Sequence, residues 1–487
     1  MPSVNLISRR EFLAGAAVAA GASILAACAP APTPTQAVAA ATATKVPQAT
    51  VPPATPVPTK AISKLVQYWF GWGGQSGGAV WDDLRKTDEF KEALGDNTPE
   101  TKGSVPAEGL LASIAAGTPP DGASCVDYLD LMARGVTLPV ADFVAASKII
   151  KQENYFPTVW NDSFYKGTML SVPANEGFLR YALNYNAKLV GEAGLDPDKP
   201  PLTWEECLEW HKKLTSFDKA GNLVRIGLDP YDAMGGSLHI ANGFFPAVSW
   251  GWKWFDDQNN KFDLDNDKMA QSLEMMGEFI RIIGPDKLTG LRQVEGQGGW
   301  GGAFNAEVQA MIIEGYWHPG ETVNEKPEVA QYNRASWAPV PGSRSGVKVQ
   351  GTGGHYFLVF KQAKSPDLAF KVAELLNTKV AMDTIFKYLG WLPSVQSYVD
   401  SADPKKYPGL EFYFKSIKEA TEWSSPARCP ISNFVQTAWN EEREAVYRNK
   451  KSNAQAAKDL EPLRAGMGES QARVGLDQTC CHPSVAG

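Results

Sequence analysis

The stretch KLVQYWFGWGGQSGGAVWDDLRKTDEFKEAL, residues 64–94, decides the fold that the sequence predicts. Residues 64–70 are mostly apolar and aromatic, which predicts a strand, and the glycine-rich residues 71–78 would end it. Residues 80–94 then carry the apolar spacing of a helix. A strand followed by a helix is the repeating unit of an α/β protein.

The same alternation continues along the chain. Thr203 and Glu206 form a capping box that would begin a helix running to Leu214. The other predicted elements are strands at 179–185, 310–313 and 356–360 and helices at 109–117 and 366–376. Strands that alternate with helices predict the α/β fold class for the whole region.

An export signal precedes this region. Arg9 and Arg10 stand ahead of a short apolar run that ends in LAAC, residues 25–28. The paired arginines resemble a twin-arginine signal, and LAAC resembles a bacterial lipobox, in which the cysteine receives a lipid. The apolar run is about one turn shorter than a membrane-spanning helix needs. We therefore predict a signal peptide at 1–27 and a lipid anchor at Cys28, which would hold the protein outside the cytoplasm, at the cell surface or in the periplasm.

A tether would separate the anchor from the folded region. Residues 29–59 consist almost entirely of Ala, Pro, Thr and Val, a composition typical of an extended, semi-rigid spacer. We assign 28–61 to the lipidated cysteine and this tether. The remainder of the chain is too long for one compact core, which predicts two domains or lobes.

Composition excludes some classes of partner. The chain has 47 basic and 54 acidic residues without a sustained basic block, so we expect no nucleic-acid partner. Its 15 tryptophans against five histidines favour a pocket that stacks on flat, partly apolar ligands. The cysteines show no C-x-x-C spacing, and we predict no metal, no cofactor and no catalytic residue. We expect a monomer.

Four groups of motifs follow the tether. In chain order they are ASIAAGTPPD (112–121); VPAN (172–175) with ALNYN (182–186), AGLD (193–196) and PLTWE (201–205); FNAEVQAMIIEGYW (304–317); and APVPG (338–342) with GTGG (351–354) and LP (392–393). Together they resemble the extracellular solute-binding proteins of ABC importers, of the large carbohydrate-binding type that includes maltose-binding proteins. Glu307 and Tyr316 depart from that pattern, which usually has Gly at the first position and Pro or Ala at the second.

The resemblance implies two α/β lobes, joined by two or three chain crossings, with a carbohydrate ligand in the cleft between them. The first lobe would hold 62–180 and 346–385, and the second 181–345 and 386–487. A ligand that touches both lobes would favour the closed state, and the permease subunits of an ABC importer would recognise that state.

Position in the chain nominates the ligand-binding residues. Trp72 and Asp121 lie in loops near strand ends, which face the crevice in such sheets. Asn175 and Glu176 precede the first crossing, where polar groups could bond sugar hydroxyls. The remaining candidates lie in glycine-rich or loop-like segments or beside a crossing, and they are Trp250, Trp252, Trp300, His355 and Trp391.

Trp317 is the candidate that the resemblance supports most, because it matches the family's ligand-stacking tryptophan. Each of these tryptophans could instead pack in the core, where tryptophan is frequent. Asp121 could instead cap the next helix, as aspartate in such turns often does.

Three other functions remain open. The segment GQSGG, 74–78, satisfies G-x-S-x-G and would make Ser76 the nucleophile of a serine hydrolase. A glycoside hydrolase would use two carboxylates, such as Glu176 and Asp256. The same fold could also bind a non-sugar solute such as a glycerol phosphate ester or a polyamine, and two or more arginines in the cleft would favour the phosphate ester.

Overall fold

The computed structural model describes residues 65–70, 74–103, 105–174, 176–231, 245–253, 255–256, 261–262, 264–288, 302–424 and 432–460. All of these belong to the compact unit Ile62–Gly487. The strands are β1 (Leu65–Phe70), β2 (Thr98–Lys102), β3 (Gly122–Ser124), β4 (Phe164–Tyr165), β5 (Thr168–Met169), β6 (Val172–Pro173), β7 (Ala182–Asn186), β8 (Ser216–Phe217), β9 (Leu223–Leu228), β10 (Phe255–Asp256), β11 (Lys261–Phe262), β12 (Gln309–Glu314), β13 (Asn333–Ser336), β14 (Val349–Gly351), β15 (Tyr356–Val359) and β16 (Glu422–Ser424).

Helices alternate with these strands. They are α1 (Gly74–Leu84), α2 (Asp88–Leu94), α3 (Ala107–Ala115), α4 (Tyr128–Ala133), α5 (Ala141–Ala146), α6 (Pro157–Asn161), α7 (Ala187–Glu192), α8 (Trp204–Leu214), α9 (Phe245–Ser249), α10 (Asp267–Ile283), α11 (Gly302–Asn305), α12 (His318–Glu325), α13 (Pro327–Ala330), α14 (Pro366–Leu376), α15 (Lys379–Leu389), α16 (Gln396–Ser401), α17 (Leu410–Glu419), α18 (Ser432–Tyr447) and α19 (Asn453–Leu460). Short 3-10 turns lie at Gln152–Asn154 and Gly342–Arg344.

The first lobe is built on a five-stranded sheet in the order β2-β1-β3-β15-β6. Strands β1, β2 and β3 run parallel, whereas β15 pairs antiparallel with both β3 and β6. Val66, Tyr68 and Phe70 alternate inward along β1, as a strand with one face on the core requires. The sheet therefore combines the first part of the chain with a strand that returns after residue 355.

The second lobe is built on another five-stranded sheet, in the order β13-β7-β12-β9-β8. Every residue of its central strand β12 is buried, which accounts for the continuous apolar run in the sequence. Helices α8 and α10 pack with it around a core that includes Trp204 and Phe279. The short pair of β14 and β16 joins residues 349–351 to 422–424 outside both sheets.

The α/β prediction and most of the predicted elements are confirmed. The capping box is present, since the Thr203 side chain accepts from the Glu206 N–H and the Glu206 side chain accepts from the Thr203 N–H.

One prediction was wrong: residues 80–94 form no single helix. Helix α1 begins earlier, at Gly74, and α2 begins separately because the Thr87 hydroxyl caps it by accepting from the Phe90 N–H at 3.2 Å. In the described ranges, no helix combines the length and the apolar character needed to cross a bilayer.

Candidate ligand site at the lobe crossings

Three described segments carry the chain past the boundary between the sheets, and we call them the crossing segments. The first, 176–181, leads from the first sheet to β7; the second, 352–355, leads from β14 back to β15; the third, 390–395, follows α15. Backbone hydrogen bonds join them. Gly177 N donates to Leu392 O at 3.0 Å, and His355 N donates to Glu176 O at 2.9 Å.

A buried ion pair lies at the centre of these segments. Arg180 Nη2 donates to Glu176 Oε2 at 2.9 Å, and both side chains are almost completely buried. Burial alone would lower the pKa of Arg180, but the neighbouring Glu176 carboxylate raises it above its ordinary value. The Arg180 guanidinium therefore keeps its charge, and the adjacent Glu176 carboxylate offsets it.

Tyr316, just after the carboxyl end of β12, connects this pair to the third crossing segment. Its hydroxyl lies 3.0 Å from Glu176 Oε1 and 2.9 Å from Leu392 O, and it accepts from Leu392 N at 3.1 Å. Burial, with a further effect from Glu176, raises the pKa of this phenol well above its ordinary value. The hydroxyl thus stays protonated and able to donate.

His355 and Cys125 lie on the other side of the Glu176 carboxylate. Nε2 of His355 is 3.1 Å from Cys125 Sγ and 3.6 Å from Glu176 Oε2. Burial lowers the pKa of His355 to about 3, with a smaller effect from Arg180, and burial raises the pKa of the Cys125 thiol. A neutral imidazole and a neutral thiol suit hydrogen bonding rather than nucleophilic catalysis.

Cys125 adopts a positive φ of 53°, a left-handed conformation that is uncommon for any residue except glycine. It directly follows β3, at the strand end that borders the crossing segments. The sequence reasoning missed this residue, although its place after a parallel strand was a usable signal.

Two tryptophans complete the cluster. The Arg180 guanidinium lies 4.9 Å from the ring centre of Trp317, whose indole N–H donates to Glu314. Trp391 donates to Glu321 Oε1 at 2.9 Å, and its ring centre is 5.1 Å from that of His355. We call the following residues the crossing cluster: Cys125, Glu176, Arg180, Tyr316, Trp317, His355 and Trp391.

The structure thus brings together four of the residues that the sequence nominates, namely Glu176, Trp317, His355 and Trp391. It does not bring Trp250 and Trp252 to them. Both are buried in the core of the second lobe, where Trp250 stacks on Trp204 at a centroid distance of 6.2 Å. Their loop-like sequence gave no sign of this packing, and we correct their assignment to a structural role.

Asp121 also has a structural role in place of the expected ligand contact. Its two carboxylate oxygens accept from the backbone N–H groups of Gln67 and Ser365, each at 2.7 Å. These bonds connect β1 to the residue that precedes α14. Asp121 precedes β3, so it lies at the strand end opposite Cys125.

Four predicted residues lie outside the described part of the chain: Trp72, Asn175, Trp300 and the lipidation site Cys28. Ser76 lies in the first turn of α1, and Asp256 ends β10. The sequence reasoning also missed Arg180 as a site residue. Its side chain is placed by the crossing itself, which no local pattern reveals.

Comparison with known proteins adds three findings. Residues 99–411 match a family described as bacterial extracellular solute-binding protein. The sn-glycerol-3-phosphate-binding periplasmic protein of Agrobacterium fabrum is 34% identical over 165 residues, which cover 32% of this chain and 36% of that protein. The corresponding protein of Brucella abortus is 31% identical over 159 residues, 30% of this chain and 35% of that protein. The chain therefore matches these relatives over about a third of their length.

Solved structures show the same fold. The structure of CpMnBP1 with mannotriose bound has a TM-score of 0.68 at 20% identity and covers 81% of this chain and 98% of its own. The solute-binding protein of Thermotoga lettingae with α-D-tagatose has a TM-score of 0.67 at 18% identity, covering 84% and 99%. Both belong to the two-lobe class, so the predicted two-lobe architecture is confirmed.

Proposed function

The chain belongs to the bacterial extracellular solute-binding protein family, and on that premise we propose that it captures a carbohydrate outside the cytoplasm and delivers it to an ABC importer. The observation that carries the choice of ligand is the chemistry of the crossing cluster. It combines two tryptophans with hydrogen-bonding groups whose opposite charges are paired. Neutral ligands rich in hydroxyl groups suit such a site, because each hydroxyl can both donate and accept a hydrogen bond. The C–H faces of a sugar ring can in addition pack on the tryptophan rings.

The two structural neighbours support this choice, since their titles name mannotriose and α-D-tagatose as the bound molecules. Their likeness to this chain is one of fold. We therefore propose the class of ligand, a neutral sugar and more specifically an oligosaccharide, and no particular sugar.

A glycerol phosphate ester is the second candidate, because the relatives of Agrobacterium fabrum and Brucella abortus are named for that ligand. A phosphate would require unpaired cationic donors, preferably two arginines. Within the described cluster Arg180 is the one cation, and it is already paired with Glu176. Burial keeps His355 neutral by lowering its pKa to about 3. Burial raises the pKa of the neighbouring Glu321 carboxyl group well above its ordinary value, so it adds no charge that would bind an anion or a cation. We therefore favour the neutral ligand. A polyamine would in turn need unpaired carboxylates, and Glu176 is paired.

We propose no catalytic activity. Relatives and structural neighbours are named as binding proteins, which supports this view. Glu176, the acid nominated for a glycoside hydrolase, forms an ion pair with Arg180. Ser76, nominated for a serine hydrolase, lies within helix α1.

We further propose that the protein is a monomer, held at the membrane by a lipid on Cys28, and that permease subunits recognise its ligand-closed form. The lobes would be 62–180 with 346–385 and 181–345 with 386–487. Helix α15 runs across the last of these boundaries. On this proposal the final passage between lobes lies after α15, in the third crossing segment.

A thermal-shift screen of the full-length protein tests the function, because a ligand that binds only the folded state raises the melting temperature. The panel contains glucose, maltotriose, mannotriose and α-D-tagatose, with sn-glycerol 3-phosphate, spermidine and p-nitrophenyl acetate for the alternatives. We expect a shift with at least one sugar. A shift with sn-glycerol 3-phosphate or spermidine alone, or turnover of the ester, would contradict the proposal.

Two matched variants locate the site. Trp317→Phe should weaken the sugar-dependent shift, because it removes the indole N–H and shrinks the ring beside Arg180. Trp250→Phe makes the same substitution in the core of the second lobe. It should lower the melting temperature of the free protein but leave the sugar-dependent shift intact.

A further inference from the structure

Three buried polar atoms around the crossing segments have no hydrogen-bond partner among the described residues. They are Arg180 Nε, His355 Nδ1 and Ser394 Oγ. Arg180 is 5% exposed and Ser394 is 0% exposed. A buried polar atom without a partner costs free energy, so a native protein that keeps several of them in one place needs a reason.

Two of these atoms belong to side chains that converge on the Glu176 carboxylate. Arg180 Nη2 lies 2.9 Å and His355 Nε2 lies 3.6 Å from the same carboxylate oxygen, Glu176 Oε2. Ser394 adjoins the next residue, Gly177. A Cβ added to that glycine would lie 2.8 Å from Ser394 Cβ and 3.3 Å from its hydroxyl. Glycine at 177 thus allows the first and third crossing segments to approach closely, and it brings Ser394 against the residue that follows Glu176.

The three free atoms differ in what they can offer a ligand. Arg180 Nε carries a proton, so it is a donor. His355 Nδ1 donates or accepts according to which ring nitrogen carries the proton. The Ser394 hydroxyl can donate or accept. The set therefore offers one donor and two groups that can take either role.

We propose that Arg180, His355 and Ser394 form a hydrogen-bonding subsite for vicinal hydroxyls of a neutral sugar. This inference rests on the proposed function and deepens it by naming residues that determine specificity. Arg180 Nε can donate to a hydroxyl oxygen, and His355 and Ser394 can each donate to a hydroxyl or accept from one. A ligand bound here would contact crossing segments of both lobes, and so would favour the arrangement in which they are close.

Ser394→Ala is the sharpest test, because structural and ligand-binding roles predict different results. If the hydroxyl served the fold, its loss would destabilise the protein. An unpartnered buried hydroxyl instead predicts an unchanged or higher melting temperature for the free variant. In the subsite, loss of the hydroxyl should raise the Kd for the sugar by about fivefold.

Ser163→Ala is the matched control. Ser163 Oγ is also buried and without a partner, but the residue lies beside the β4–β5 hairpin of the first lobe. The variant should resemble Ser394→Ala in stability and bind sugar as the wild type does. Arg180→Lys supplies a second variant, since it keeps a cation beside Glu176 but removes the Nε–H donor. It should also weaken sugar binding about fivefold or more.

The measurement is calorimetric titration of full-length wild type and the three variants with mannotriose, maltotriose, glucose and α-D-tagatose. Weaker binding in Ser394→Ala and Arg180→Lys, with Ser163→Ala unchanged, is the expected result. Wild-type affinity in the folded Ser394→Ala and Arg180→Lys variants would overturn the subsite and leave the proposed function standing. If the wild type bound none of these sugars, both the function and the subsite would be overturned.

Discussion

Tyr316 holds the crossing cluster together through one hydroxyl group. The hydroxyl lies within hydrogen-bonding distance of Glu176, from the first crossing segment, and of Leu392, from the third. The backbone N–H of Tyr316 donates to Leu179 O at 3.2 Å. The sequence singled this position out only as a departure from the family pattern. The structure shows that the departure adds a contact between three separate parts of the chain.

Tyr316→Phe should therefore destabilise the protein by about 2 kcal/mol, because it leaves the Leu392 N–H and a Glu176 oxygen buried without this partner. Urea unfolding measures the change. Tyr356→Phe is the control, since the Tyr356 hydroxyl makes a single bond, to Val159 O at 3.1 Å, and should cost about 1 kcal/mol. Equal losses in the two variants would show that Tyr316 has no special part in joining the segments.

His318 makes stability depend on pH. It is buried, neither ring nitrogen has a hydrogen-bond partner in the part of the chain that the structure describes, and burial lowers its pKa to about 3. In the unfolded chain its pKa returns to about 6.5. Between these values the unfolded state binds a proton that the folded state does not. The free energy of unfolding therefore falls as the pH drops below about 6.5.

From pH 7 to pH 5 this residue alone should remove about 2 kcal/mol of stability. His318→Leu should reduce the loss between the two pH values by that amount, whatever its effect at pH 7. Urea unfolding of wild type and variant at both pH values gives the comparison. The same loss in both proteins would mean that His318 is protonated in the folded state or accessible to water.

At the scale of elements, helices α12 and α15 touch through glycine. A Cβ added to Gly320, in α12, would lie 2.4 Å from Gly390 Cα, and Gly390 ends α15 with a left-handed φ of 69°. Helix α12 follows β12 of the second sheet, whereas α15 packs on α1 of the first lobe. Only a residue without a side chain fits on either side of this contact between the two helices.

Gly390→Ala should destabilise the protein by about 3 kcal/mol, because backbone strain and a clash with Gly320 add together. Gly194→Ala is a matched control. Gly194 follows helix α7 with a φ of 72°, but a Cβ there would meet nothing within 4 Å. It should cost only the strain, about 1 kcal/mol. Indistinguishable midpoints in thermal unfolding of the two variants would contradict the role of close packing.

The elements that sequence predicted best are those set by local chemistry. The capping box at Thr203 and the apolar run of β12 need no knowledge of distant residues, and both are found where the pattern indicates. The break at Thr87 was missed because the helical spacing continues through it. Trp250 and Trp317 show the limit for the site: both follow similar local signals and both are buried in hydrophobic cores, but only Trp317 lies in the core that adjoins Arg180 and the crossing segments. That difference arises from tertiary contacts.

At the scale of the whole molecule, two α/β lobes meet at three crossing segments, and the crossing cluster draws residues from both sides. Cys125 and His355 come from the strands of the first sheet, whereas Tyr316 and Trp317 follow the central strand of the second. The affinity for a ligand bound there would depend on how the lobes are arranged. The central claim is therefore that a sugar binds between the lobes and favours their closed state.

Small-angle X-ray scattering of the full-length protein tests this claim most directly, with and without a saturating amount of the sugar that gives the largest thermal shift. We predict a smaller radius of gyration with the sugar, and no change with an equal concentration of sn-glycerol 3-phosphate. Identical scattering curves with and without the bound sugar would contradict capture by closure of the lobes.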